Sequence, residues 1–196
     1  MKTKTKNFKI SRVAILLFVM FTSGLGYGQA PYRQNQVSIT IAGTSTMHDW
    51  TMTTKDGVLQ ANLTLNADGT LSQINSLQLN VPAESLKSGK GAMDKNAYNS
   101  LKTDKFKQIT FALTSTQVTG NEVKCTGNLT ISGVTKVVQL DASCKLQPDN
   151  TFNCKGSKAL KMTEYKVEPP TFMFGSIKTG DDITISFETT LSPVKL

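Results

Sequence analysis

From Val37 to Leu191, apolar residues recur at every second position in one short run after another. Val37, Ile39 and Ile41 alternate with Ser38, Thr40 and Ala42; Leu59, Ala61, Leu63 and Leu65 alternate with Gln60, Asn62, Thr64 and Asn66. Successive side chains of a strand point to opposite faces, so a period of two gives each segment one apolar and one polar face. The same pattern runs through Leu77, Leu79 and Val81, which stop at Pro82, and through Ile109, Phe111 and Leu113. It continues in Val123, Cys125, Gly127, Leu129 and Ile131, then in Val138, Leu140, Ala142, Cys144 and Leu146. Ile183, Ile185, Phe187 and Leu191 form the last such run. Turn chemistry separates the runs at Asn66-Ala67-Asp68-Gly69, Ser132-Gly133 and Pro148-Asp149-Asn150.

The reading is therefore all-β, with about eight strands. Their outer faces, rich in Thr, Ser, Asn and Gln, are built for water, which makes the sheet antiparallel around one enclosed core. Such a sheet hides its inner face by closing into a barrel or stacking as a sandwich. Two stretches break the rhythm. Residues 83–105 contain Gly89 and Gly91 and then Asp94, which is expected to cap a short helix presenting Ala97, Tyr98 and Leu101. Residues 161–181 contain Pro169-Pro170 and the run Thr171-Phe172-Met173-Phe174-Gly175. Long insertions on a regular frame are where function tends to sit.

The chain carries 22 Lys and Arg against 14 Asp and Glu over 196 residues, a formal charge of +8. That balance would suggest a nucleic-acid partner if it were spread evenly. Instead Lys2, Lys4, Lys6, Lys9 and Arg12 precede any acid, so the remainder carries 17 basic and 14 acidic residues. Nine apolar residues follow, Val13 to Phe21, and then small and polar ones to Gln29. A basic stretch, a short apolar stretch and small residues at a cut site describe a secretory signal peptide, too short to span a bilayer. The expected division is a leader over 1–28 and a single β-domain over 29–196. No later segment reaches membrane-spanning length, and no nucleic-acid partner is expected.

Catalytic chemistry has little to work with. His48, within Thr46-Met47-His48-Asp49-Trp50, is the only histidine. One histidine with three scattered cysteines matches no metal-ligand spacing, so neither a metal nor a cofactor is expected. In an extended segment His48 and Asp49 point to opposite faces, which makes Asp49 a poor orienter for a nucleophilic relay. His48 reads first as a hydrogen-bonded strand-end residue, and second as a polar contact to a ligand.

The three cysteines lie in a chain expected to leave the cytoplasm, and their odd number leaves at least one unpaired within it. With the hairpin placed about Val134-Thr135, Cys125 lies opposite Cys144; with Pro148-Asp149-Asn150 as a loop, Cys144 lies opposite Cys154. Cys144 is thus the expected partner in any bridge, with Cys154 or Cys125, and the competing reading is three small buried hydrophobes.

Several blocks also carry a resemblance. Val37-Ser38-Ile39 through Gly43-Thr44-Ser45-Thr46-Met47-His48-Asp49-Trp50 resembles the opening strand and turn of the YceI-like family. Phe106 to Phe111 and Thr126 to Thr135 resemble its core, and Gly175 to Ile185 its final strand. In order and spacing these cover about residues 35 to 192. The resemblance implies an extended lipocalin-like antiparallel β-barrel, secreted or periplasmic, in bacteria. It also implies a ligand: characterised members enclose an isoprenoid quinone-type or polyprenyl lipid. Lys161-Met162-Thr163-Glu164-Tyr165-Lys166-Val167 departs from the commoner pattern of an Arg and a Gly-containing turn, so no head-group contact is carried over.

The leading expectation is a secreted or periplasmic, non-enzymatic carrier of a long isoprenoid-type lipid. Its expected wall is Val37, Ile39, Ile41, Leu63, Leu65, Leu77, Leu79, Ile109 and Phe111 from the first half. From the second half come Leu129, Leu140, Phe172, Phe174, Ile185 and Phe187, with His48 and Trp50 nearer an opening. Plain core packing is the competing reading for each apolar position. The alternative function is an interaction or stress-response module whose barrel is filled by its own side chains, and a homodimer stays open under either.

Overall fold

The computed structural model describes residues 29–194, and the expected leader over 1–28 lies outside the described residues. Ten strands follow in chain order: β1 (Gln29–Ser45), β2 (Trp50–Thr54), β3 (Val58–Leu65), β4 (Leu71–Pro82) and β5 (Gln108–Thr119), then β6 (Glu122–Ile131), β7 (Val134–Leu146), β8 (Phe152–Lys161), β9 (Thr171–Phe172) and β10 (Ile177–Pro193). One helix, α1 (Gly91–Leu101), stands between β4 and β5.

Strands β3 to β8 pair each with the next in antiparallel register, β8 pairs with β10, and β10 pairs with β1. With β1 also pairing β3, the sheet closes into an eight-stranded antiparallel barrel. Closure removes the open edges that a free sheet would present. β2 and β3 share one register against β1, with Ile39 facing Thr54 and Arg33 facing Gln60. They act as one strand interrupted at Lys55-Asp56-Gly57. Gln34 fills the gap: its Nε2 donates to the Gly57 carbonyl at 2.8 Å, and its Oε1 accepts from the Leu59 amide. A side chain thereby replaces the ladder bonds that the interruption removes.

The alternation read from the sequence maps onto the wall. Leu59, Ala61 and Leu63 are buried while Gln60 and Asn62 are exposed. At the end of the barrel bearing the 66–69, 120–121 and 147–150 turns, the interior is filled. Leu63, Val123, Phe152 and Leu191 are almost fully enclosed there, and Tyr32 meets Phe152 edge-on at 5.8 Å between ring centroids. Glycine enters the wall where an aromatic lies across it. A Cβ on Gly127 would sit 2.4 Å from Phe111 Cζ and 2.6 Å from the Ala112 carbonyl.

Two local expectations need correction. The β6–β7 turn is Ser132-Gly133, where the turn chemistry puts it, with Ile131 facing Val134, so the hairpin centre about Val134-Thr135 that paired the cysteines is displaced by two residues. Both turn residues have positive φ, 49° and 75°, the two-residue geometry whose twist matches the flanking strands. Cys125 therefore faces Leu140 rather than Cys144. Cys144 faces Cys154 and is joined to it in a disulfide, and Cys125 remains a buried free thiol. Burial pushes the Cys125 thiol up to about 11, with a smaller push from Asp141, so it behaves as a small hydrophobe.

Asp94, expected as the cap, sits one turn inside α1, which starts after Lys90. There it accepts from the Ser88 amide at 2.7 Å and hydroxyl at 2.6 Å, folding the preceding loop back onto the helix. The helix ends at Lys102 in the left-handed region. Ser132 Oγ donates to the Leu101 carbonyl at 2.9 Å, and the Tyr98 hydroxyl reaches the Leu86 carbonyl at 2.7 Å. These bonds hold α1 over the end of the barrel opposite the packed one.

Candidate functional site: an apolar cavity beneath the helix

At that second end the inward side chains do not meet. They leave a cavity of about 440 Å³, within the range of small-molecule sites. Its wall is barrel strand: Ile39 and Ile41 from β1, Leu79 and Val81 from β4, Ile109 from β5, Leu129 and Ile131 from β6, Leu160 from β8, and Ile183 and Ile185 from β10. Its roof is α1, which contributes Met93, Ala97, Ser100 and Leu101. The spacing of these four puts them on one helical face. A side wall comes from 162–173, through Met162, Tyr165, Val167, Pro170 and Phe172. Met47, His48, Lys90, Ala92 and Met173 line it while being exposed themselves, so they mark where the cavity opens to solvent.

The turn at the mouth is internally bonded. Ser45 Oγ donates to the His48 carbonyl at 2.7 Å and accepts from the Met47 and His48 amides. His48 Nδ1 lies 2.7 Å from the Asp49 carbonyl. A carbonyl only accepts, so Nδ1 carries the proton. The imidazole is thus oriented by the backbone of Asp49 and not by its carboxylate. Trp50 Nε1 donates to the Thr44 carbonyl at 3.0 Å, and its ring lies so close over Gly43 that a Cβ there would come within 2.4 Å.

Ile39, Ile41, His48, Trp50, Leu79, Ile109, Leu129, Phe172 and Ile185, all expected from the sequence, come together on this cavity. Val37, Leu63, Leu65, Leu77, Phe111, Leu140 and Phe187 lie outside it; Leu63 and Phe111 are buried in the main core and Val37 in a smaller cluster with Ile39 and Val81. Phe174 is a correction. It is 113% exposed, because Met173 and Phe174 both take positive φ and swing the second ring out of the wall. Sequence reading missed Met93 and Ser100, which helical spacing over 93–101 would have given beside Ala97 and Leu101. It also missed Met162, Tyr165 and Val167, for which no periodic signal exists.

Tyr165 stands apart in this wall. It is almost fully enclosed, and its hydroxyl is the one buried side-chain polar atom among the described residues with no hydrogen-bond partner. Burial raises its pKa above the ordinary tyrosine value, with the Glu164 carboxylate adding to the rise, so it stays a protonated donor at neutral pH. No group of His, Cys, Asp and Glu able to hold a metal ion occurs among the described residues, and none of their helices is long and apolar enough to cross a membrane.

A closed antiparallel barrel with one apolar, roofed cavity defines the class of β-barrels built to enclose a small apolar molecule. The chain belongs to the YceI-like domain family, whose profile matches residues 29–191. A stretch of 55 residues is 46% identical to protein YceI of Salmonella arizonae, and the same holds for Salmonella newport. That stretch spans 28% of this chain and 29% of those relatives.

Solved structures share the fold at low identity. Burkholderia cenocepacia BcnA superposes with a TM-score of 0.60 at 16% identity, over 80% of this chain and 96% of its own. A polyisoprenoid binding domain from Saccharophagus degradans, implicated in plant cell wall breakdown, gives 0.59 at 13%, over 85% and 100%. The Campylobacter jejuni YceI protein gives 0.56 at 20%, over 70% and 82%.

Proposed function

We propose that this chain is an exported, non-enzymatic carrier that encloses an isoprenoid-type lipid, a prenylquinone or polyprenyl compound, in the barrel cavity. The observation that carries the reading is the cavity itself: apolar on its strand wall, roofed by α1, and open at a rim of exposed Met47, His48, Lys90 and Met173. At about 0.8 kcal/mol per buried CH₂, ten such groups contribute roughly 8 kcal/mol of gross transfer free energy. Ordering the lipid and losing its freedom lower the net, and micromolar binding still follows for a longer chain. The polyisoprenoid binding domain that shares this fold supports the ligand class.

Export rests on the leader read over 1–28, with 29–196 as the mature domain in the periplasm or outside the cell. The Cys144–Cys154 bridge supports it, because disulfides persist in oxidising compartments. The absence of catalysis rests on the His48 geometry, in which the backbone and not a carboxylate orients the ring. The filled-barrel alternative needs a dry, fully packed interior, and the cavity argues against it.

The test is native mass spectrometry of the chain expressed with its leader in a bacterial host, followed by solvent extraction. A one-to-one adduct that extracts as a prenyl lipid is the expected result. A bare polypeptide mass, with no uptake on later incubation with prenyl lipids, overturns the reading in favour of the interaction module.

A further inference from the structure

Five methionines fall among the described residues, Met47, Met52, Met93, Met162 and Met173, and all five line the cavity. An apolar wall alone does not ask for them, because Leu fills a similar volume. A thioether adds a flexible, polarizable sulfur that can accept an oxygen atom. Their depths differ. Met52 and Met162 are 4% and 8% exposed, whereas Met47 and Met173, at the mouth, are 64% and 70% exposed.

Two linked turns carry the exposed pair. Ser45 Oγ braces the turn of Met47, and Met173 takes a left-handed φ of 48°. The Thr46 amide donates to the Lys178 carbonyl at 3.0 Å, and the Lys178 amide donates to Thr46 Oγ1 at 3.1 Å. On its other side this stretch of β10 pairs with β9, Ile177 facing Phe172, so both methionines belong to one rim. The remaining sulfurs are out of reach. Cys144 and Cys154 are already joined, and Cys125 is buried with its thiol pushed up to about 11, which leaves little of the reactive thiolate. Among the described residues, a solvent-borne oxidant therefore meets the sulfurs of Met47 and Met173 first.

We propose that Met47 and Met173 are an oxidation site controlling the cavity mouth: a peroxide converts them to sulfoxides and thereby weakens lipid binding. In each step the sulfur lone pair attacks one oxygen of hydrogen peroxide, forming the S–O bond as the O–O bond breaks. The departing hydroxide takes the proton of the transferred oxygen and leaves as water, with sulfur oxidised by two electrons and the peroxide reduced by two. The product replaces an apolar side chain by a strong hydrogen-bond acceptor. A lipid covering the rim takes that oxygen out of water and offers it no donor, which costs binding free energy. Both side chains already stand in solvent, so the packed core is untouched. This rests on the carrier reading and adds a chemical control to it.

The experiment uses the mature chain and a Met47→Leu/Met173→Leu double variant. Each is treated with hydrogen peroxide, desalted and titrated with geranylgeraniol through the fluorescence of Trp50, the single tryptophan and itself a lining residue. Each chain is compared with itself before treatment. Peptide mass spectrometry should find sulfoxide at Met47 and Met173 before Met52 and Met162. Wild-type affinity should fall about tenfold at an unchanged melting temperature, and methionine sulfoxide reductases should restore it. The affinity of the variant should not respond to the oxidant. An equal fall in the variant, no fall in wild type, or earlier oxidation of the inner methionines overturns the proposal and leaves the carrier reading standing. A melting temperature that falls with the affinity also overturns it, since the loss is then one of folding. Untreated wild type that takes up no geranylgeraniol removes the carrier reading and this inference together.

Discussion

The two ends of this barrel are built from the same alternating strands and reach opposite outcomes. At the end with the 66–69 and 147–150 turns, Tyr32, Leu63, Val123, Phe152 and Leu191 fill the interior, and a disulfide crosses from β7 to β8. At the other end, the inward residues of β1, β4, β5, β6 and β10 are mostly Ile, Leu and Val, and among the described residues no ring pair like Tyr32–Phe152 meets across the space. A helix covers the gap without entering it. The difference teaches that alternation specifies a wall, while side-chain volume at facing positions decides whether the wall encloses a core or a cavity. The packed end is then the fold's anchor, and the roofed end is free to serve a ligand.

Truncation puts the sharpest test on that division. Phe152→Ala removes a fully buried ring that Tyr32 packs against, and about 3–5 kcal/mol of unfolding free energy should go with it. Ile177→Ala, on the half-buried rim of the cavity, should cost roughly 1 kcal/mol, because little of its surface leaves water on folding. Urea unfolding of both variants checks this. Equal costs would mean that the second end packs as tightly as the first, and the contrast would fail.

The disulfide comes next in size. Cys144 and Cys154 are 10 residues apart in sequence, and closing a loop of that length stabilises by roughly 2–3 kcal/mol in the chain-entropy account. Reduction should lower the melting temperature without changing ligand uptake, since neither cysteine lines the cavity. Loss of uptake on reduction, at a temperature where the chain is still folded, would show that the two ends are coupled.

Much of this frame is legible in the amino-acid sequence. Alternation through Leu59, Ala61 and Leu63 marks an inner face because the pleat leaves no other place for those side chains. A short helix ending near Leu101 is legible from the residues after Asp94, though not its start or cap: Lys90 precedes the helix, and Asp94 serves the loop from within. Register is harder. The Ser132-Gly133 turn is itself legible, but a hairpin centred two residues later, about Val134-Thr135, pairs Cys125 with Cys144, whereas the true centre pairs it with Leu140. The cavity is the least legible part. Leu79 and Leu77 belong to one alternating run, yet only Leu79 lines the space, and position along the barrel axis is invisible to a period of two. Tyr165 lies in a stretch with no period at all.

A space-filling substitution separates the ends with a smaller change in stability. Ala97 faces the cavity from the roof, so Ala97→Phe has room to turn inward and should change unfolding free energy by less than about 1 kcal/mol, short of the overpacking range. Ala61 sits in the packed end, where Ala61→Phe should cost about 1–3 kcal/mol or more from overpacking. Lipid uptake should reverse that order, falling at least tenfold for Ala97→Phe. An Ala97→Phe variant that binds prenyl lipid as wild type does would place the ligand outside this cavity.

Acid gives the mildest test, because both ends use the same chemistry over different spans. Asp68 and Asp149, at the packed end, are held below the usual carboxylate range by the hydroxyls and amides of Thr70 and Thr151, two residues onward. Asp94 and Asp181, at the cavity end, are held low by Ser88 and Thr163, which lie in separate segments. A pKa depressed in the folded state contributes stability that is present above the unfolded value, near 4 for Asp. It is lost as pH falls through the lower folded value. The bonds to all four carboxylates therefore persist at neutral pH and break only in strong acid. Protonation at the packed end loosens a turn tip whose strands stay paired. Protonation at the cavity end frees the loop before α1 and the turn that carries Tyr165. Amide exchange followed as pH is lowered stepwise below the usual carboxylate range, corrected for its intrinsic rate, should thus accelerate more over 88–101 and 162–167 than over 146–152. Uniform acceleration would mean that these carboxylates steer the roof no more than they steer a hairpin tip.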